Sequence, residues 1–115
     1  MKKYYCAIGL LLLDEMLEEG LKPRHPTWYS GDEKPSIGLK ESIEDVITTY
    51  RDVLINQQAQ VRDKWVANYP VCLLEVELPE SQVEQTSCCL VTTSTIPVEA
   101  IKILSKNFII EYGVV

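Results

Sequence analysis

The segment from residue 17 to residue 23, LEEGLKP, fixes where the first helix of this chain ends. Gly20 can adopt a positive φ angle without a steric penalty, so it suits the position just beyond a helix. Pro23 has no amide hydrogen and prevents the helix from continuing. The segment therefore predicts a helix over residues 10–19, preceded by a strand over residues 2–8. Apolar side chains recur at helical spacing in that helix, at Leu13, Met16 and Leu17.

A second helix is predicted to follow a short strand at residues 36–40. Ser42 with Asp45 three positions later resembles a capping box in which Asp replaces the usual Glu. Apolar residues then keep helical spacing from Ile43 onward, so the helix is predicted to begin there. The polar stretch after residue 55 weakens the pattern. Residues 43–68 form either one long helix or two helices joined by a kink.

Strand patterns dominate the last third of the chain, interrupted by one predicted helical turn at residues 97–101. The predicted strands cover residues 71–78, 88–93 and 102–112, the last with a bulge near Asn107. This order of elements predicts an α+β fold with two main helices and a mixed or antiparallel sheet. The length of 115 residues predicts a single small domain.

The segment over residues 24–35 is predicted to be a loop because it contains three turn signals, His25-Pro26, Gly31-Asp32 and Lys34-Pro35. Trp28 and Tyr29 are large side chains on this loop, which favours a lid or a contact surface. Together with His25 they are candidate ligand-binding residues. A second interpretation makes Cys6 and His25 a catalytic pair in which His25 is the base. The simpler interpretation is that Cys6 is a buried thiol and His25 an exposed histidine on the loop, neither with a catalytic role.

The charge and hydropathy of the chain disfavour two classes of binding partner, nucleic acids and membranes. The formal net charge is −6 and the isoelectric point is about 4.7, with acidic residues spread along the chain. Nucleic-acid binding is disfavoured, because this balance lacks the basic surface that phosphates attract. No apolar run approaches the roughly 20 residues of a membrane span, so we expect no membrane partner and a cytoplasmic location.

The four cysteines and the single histidine do not form a recognisable metal site. Cys6, Cys72, Cys88 and Cys89 show no C-x-x-C spacing, and one histidine cannot complete a zinc pattern. We therefore expect no metal, and mostly buried thiols that act as small apolar side chains.

Short sequence motifs spread over most of the chain occur in the same order as the motifs of a known protein family. Residues 5–8 (YCAI) and 17–23 (LEEGLKP) are similar to a strand ending Tyr-His-Gly-Thr and a helix ending Leu-x-x-Gly-Leu-x-Pro. Residues 37–46 resemble the second strand and helix of that family, residues 74–79 its mid-sheet strand, and residues 96–102 its closing Ile-Pro-Pro-Glu-x-Ile element. The chain thus resembles the ADP-ribosyltransferase superfamily, which includes the RNA 2′-phosphotransferases. The cofactor stays open, and the resemblance implies an NAD-like nucleotide as the candidate.

The positions that carry the chemistry of that family differ here. The resemblance places the histidine that holds ribose at Cys6, the tyrosine that stacks on nicotinamide near Gly38, and the catalytic glutamate near Cys88 or Cys89. An oxocarbenium-like transition state needs positioned negative charge and a fixed ribose. Losing one positioned electrostatic group lowers the rate by about 10²–10³, so the resemblance implies a degenerate site.

Three functions follow as hypotheses. The first is a non-catalytic domain that binds a nucleotide-like ligand or a protein through Cys6, Gly38, Cys88 and the aromatic loop. The second is an active ADP-ribosyl or phosphoribosyl-type transferase with relocated carboxylates, for which Glu75 and Glu84 are the candidates. The third is an unrelated small protein-interaction module. Whether the chain is an enzyme stays open, and the lost groups argue against it.

Overall fold

The structure, a computed structural model, describes residues 1–23, 35–55, 71–86 and 89–114. In these ranges the strands are β1 Lys2–Gly9, β2 Ile37–Leu39, β3 Val71–Leu78, β4 Glu84–Gln85, β5 Leu90–Thr92 and β6 Ile101–Ser105. The α-helices are α1 Leu13–Glu19, α2 Ile43–Ile55 and α3 Phe108–Glu111, and the 3₁₀ turns are Leu10–Leu12, Glu80–Gln82 and Val98–Ala100. The predicted strands at residues 2–8 and 71–78 and the predicted helical turn near residue 98 are confirmed.

β3 is the central strand of the first sheet, in which it pairs antiparallel with β1 on one side and with β6 on the other. Residues 71–74 of β3 are all buried, which is typical of a strand covered on both faces. One face packs in a first cluster with α1, and the other packs in a second cluster with α2 and α3. This half of β3 is therefore enclosed between two layers of apolar side chains.

The second sheet is smaller and has the strand order β2-β5-β4, also antiparallel. It is joined to the first sheet at Tyr5 and Lys40, whose backbone groups exchange two hydrogen bonds of 2.8 Å. Ile37 and Leu39 of β2 are buried in the first cluster beside α1. The bridge holds the end of β2 against the middle of β1, and so positions the residues that follow β2.

Gly20 ends α1, as the sequence predicts. Its φ angle is 81°, and a Cβ atom at this position would lie 2.5 Å from the backbone oxygen of Ile96. Glycine is required here by the backbone conformation and by the close approach. The next residue, Leu21, exchanges backbone hydrogen bonds of 2.9 and 2.8 Å with Ile96. The α-helix begins later than predicted, because residues 10–12 form a 3₁₀ turn ahead of Leu13.

α2 begins at Ile43, as the capping pattern predicts. The Asp45 amide donates a 3.1 Å hydrogen bond to Ser42 Oγ, which satisfies one of the amide groups that a helix start leaves without a partner. The helix is described as far as Ile55. The choice between one helix and two over residues 43–68 therefore lies outside the described residues.

The predicted final strand over residues 102–112 is confirmed as far as Ser105, where β6 ends, and is wrong beyond it, because the chain turns into α3. Ser105 Oγ accepts a 3.0 Å hydrogen bond from the Asn107 amide and donates one of 2.7 Å to the Glu111 carboxylate. This hydroxyl closes the turn. The turn places Phe108 at the centre of the second cluster, with no exposed surface. A short apolar run has the same composition in a buried strand and in a buried helix, so periodicity alone does not separate them.

The bulge of β6 lies at Leu104, ahead of the predicted position near Asn107. β3 pairs Leu73 with Ser105 but Leu74 with Ile103, which leaves Leu104 as the extra residue of a β-bulge. Leu104 packs against the second cluster. The bulge thus brings a further apolar side chain of β6 to that cluster.

The structure confirms the predicted α+β class with antiparallel pairing. It differs from the prediction in having two sheets where one was expected, and β4 is an additional strand. The predicted strand over residues 88–93 is shorter, since β5 spans Leu90–Thr92. Within the described ranges, no helix is long and apolar enough to cross a membrane.

Candidate functional site

A row of three residues crosses the second sheet at the floor of a groove, and one of them, Leu39, is only 1% exposed because its side chain lies in the first cluster. Leu39 of β2 lies opposite Leu90 of β5, and Leu90 lies opposite Gln85 of β4. Side chains of directly opposite residues share one face of a sheet. The groove has a volume of about 330 Å³. Beside this row it is lined by Lys40, Glu41, Asp45, Thr48, Thr49 and Cys89.

α2 supplies a polar wall of the groove. Its buried residue Val46 packs into the second cluster, and the neighbouring side of the helix faces the groove. Asp45, Thr48 and Thr49 lie at positions i, i+3 and i+4, the spacing that places side chains on one side of a helix. Thr49 Oγ1 donates a 2.9 Å hydrogen bond to the Asp45 backbone oxygen. Among the described residues, the Asp45 carboxylate and the Thr48 hydroxyl have no hydrogen-bond partner.

Lys40 and Glu41 reach the groove because the bridge between Tyr5 and Lys40 fixes the chain just before α2. Glu41 pairs with Lys2 at 3.5 Å, and both side chains are largely exposed, so this ion pair adds little to stability. The lining therefore carries one ammonium group and two carboxylates, with hydroxyl and amide groups between them. This mixture of donors and acceptors suits a small polar ligand.

Gln85 of β4 and Cys89, which directly precedes β5, line the opposite side of the groove. The Thr86 hydroxyl donates a 2.8 Å hydrogen bond to the Cys89 backbone oxygen and accepts one of 3.1 Å from the Cys89 amide. The Gln85 side-chain amide donates to the Thr86 backbone oxygen at 2.9 Å. The first two hydrogen bonds connect Thr86 directly to Cys89.

Cys6, at which the sequence resemblance predicts the counterpart of a ribose-binding histidine, lies in the core and does not line the groove. Its side chain is 6% exposed and belongs to the first cluster. Burial raises the pKa of the Cys6 thiol to about 12. The thiol is therefore neutral near pH 7, whereas a cysteine nucleophile reacts as the thiolate. His25 lies outside the described residues, so its pairing with Cys6 stays a prediction.

Gly38 and Glu84 belong to the row of paired strand residues next to the row that forms the groove floor. Both lie opposite Val91 of β5. Successive residues of a strand point to opposite faces, and neither Gly38 nor Glu84 lines the groove. A Cβ atom at Gly38 would meet no atom within 4 Å, so no close approach within the described ranges requires glycine here.

Glu75 lies on the first sheet, away from the groove. It accepts a 3.3 Å hydrogen bond from the Tyr5 hydroxyl and lies 3.9 Å from the ammonium group of Lys3. Its side chain is 16% exposed, and these contacts satisfy a carboxylate that water reaches poorly. The remaining candidates of the sequence lie outside the described residues: Trp28, Tyr29 and Cys88.

The sequence patterns missed most of the residues that line the groove. The capping pattern assigns Asp45 to the helix start, and its spacing with Thr48 and Thr49 was the available signal. An ordinary solvated helix face has the same polar composition, so this signal is weak. The sequence around Lys40 and Gln85 contains no signal for the groove, because only the pairing of β2, β5 and β4 brings these two residues to one place.

The chain matches no protein-family model, no curated protein and no solved structure. Across the parts of the chain that the structure describes, no three histidine, cysteine, aspartate or glutamate side chains are grouped so as to hold a metal ion. The groove is therefore the feature on which a function can be argued.

Proposed function

We propose that the chain is a non-catalytic binding domain with a degenerate ADP-ribosyltransferase-like fold, and that its groove holds a nucleotide-like ligand. One observation carries the proposal. The end of β2, the first turns of α2 and the residues Gln85 and Cys89 converge on one groove that is lined mainly by polar residues, with the partly buried Leu90 as its apolar part. Small-molecule sites in proteins commonly combine apolar surface with a few placed polar groups.

The position of the groove supports the ADP-ribosyltransferase-like part of the proposal. The resemblance puts the stacking tyrosine of the family near Gly38 and its glutamate near Cys88 or Cys89. Gly38 directly precedes Leu39 of the groove floor, and Cys89 is a lining residue. Binding would thus use the same stretches of chain as in the family, with different side chains.

The chemistry of these positions supports the absence of turnover. A buried neutral thiol at Cys6 cannot hold a ribose in the groove, and Cys89 offers no carboxylate to stabilise an oxocarbenium ion. Glu41 and Asp45 do bring carboxylates to the groove. That observation favours one alternative, an active transferase with relocated catalytic residues. Labelled NAD separates the two functions, because only a transferase moves the label to an acceptor.

Thermal unfolding in the presence of adenosine, AMP and NAD tests the binding function. A ligand at 100 times its dissociation constant stabilises the folded state by roughly 2.7 kcal/mol. Thr48→Tyr places a bulky ring on the groove wall and should abolish this stabilisation. Glu44→Tyr is the matched control, since it places the same ring on an exposed residue of α2 that does not line the groove. The control should keep the stabilisation.

A panel in which no nucleotide stabilises the wild-type chain would count against the binding function. Equal stabilisation of the wild type and Thr48→Tyr would show that the ligand binds elsewhere. Transfer of label from NAD to an acceptor, lost in Asp45→Asn, would establish the transferase alternative in place of the binding domain.

A further inference from the structure

We draw no further inference here: the strongest candidate, the surface patch at the exposed apolar side chains of Leu11 in the first 3₁₀ turn and Leu17 in α1, carries nothing, because nothing in the described part of the chain shows what covers it.

Discussion

The two sheets are built differently, although both contribute to the first cluster. In the first sheet, β3 has eight residues, and Leu74 and Val76 at its centre are fully buried. In the second sheet, β2 and β5 have three residues each and β4 has two. One row of the second sheet carries the polar side chain of Gln85 beside two leucines.

If the proposed function holds, this difference separates the residues that stabilise the fold from those that bind a ligand. Long paired strands between two apolar clusters bury the surface that supplies the main favourable term in folding. The short second sheet buries less and leaves polar groups at a groove, while the bridge between Tyr5 and Lys40 ties it to the first sheet. We therefore expect changes in the first sheet to lower the free energy of unfolding, and changes at the groove to alter binding.

Leu74→Ala should have the largest effect and tests this division directly. Leu74 is fully buried in the central strand, and Leu→Ala changes at such positions lower the free energy of unfolding by about 2–5 kcal/mol. The same substitution at Leu90, which is only partly buried, should lower it by about 1–2 kcal/mol. Urea denaturation of both variants measures the two values. Equal losses would mean that the second sheet supports the fold as strongly as the first.

The first sheet is also the region that the sequence predicts best. Its two long strands contain enough apolar and β-forming side chains to be recognised over their full length. The end of α1 at Gly20 and the start of α2 at Ile43 are also correct, because a positive φ angle and a hydroxyl cap act within a few residues. Local physical causes leave local signals in the sequence.

The second sheet and the groove depend on pairing between distant segments. β4 has only two residues, and both are exposed, so no periodicity can reveal it. α3 was predicted as a strand because the contacts of Ser105 that close its turn are visible only in three dimensions. The resemblance predicts Cys6 as a ligand-binding residue, but Cys6 is buried. Asp45 lines the groove, but the sequence pattern predicts it only as part of a helix cap.

Gly20→Ala should have the next largest effect and tests the junction between α1 and the segment that carries Ile96. A side chain at a positive φ angle costs about 1–3 kcal/mol, and the new Cβ atom would also approach the Ile96 oxygen to 2.5 Å. Gly38→Ala is the matched control in the second sheet, where a Cβ atom meets nothing within 4 Å. It should leave the free energy of unfolding unchanged or raise it slightly. If both variants unfold at the same urea concentration, the close approach at Gly20 does not limit stability.

The smallest expected effect is a loss of stability at alkaline pH that originates in the first sheet. Burial raises the pKa of Cys6 from 9.0 to about 12, so the folded state keeps the thiol protonated where the unfolded chain releases the proton. This contribution to stability is complete below pH 9 and is lost as the pH rises towards 12. At pH 10, one unit above the ordinary value, the loss is roughly 1.4 kcal/mol.

Urea denaturation of the wild type and Cys6→Ala at pH 7 and pH 10 measures this loss. Cys6→Ala should be less stable at pH 7, because it buries less apolar surface, but its stability should fall by roughly 1.4 kcal/mol less between the two pH values. Burial also raises the pKa of Tyr50, from 10.0 to about 12, so Tyr50→Phe should retain most of the wild-type loss. If Cys6→Ala loses as much stability as the wild type, water reaches the thiol in the folded state. The face of the first sheet that packs against α1 would then not be sealed from solvent, and the contrast with the groove would weaken.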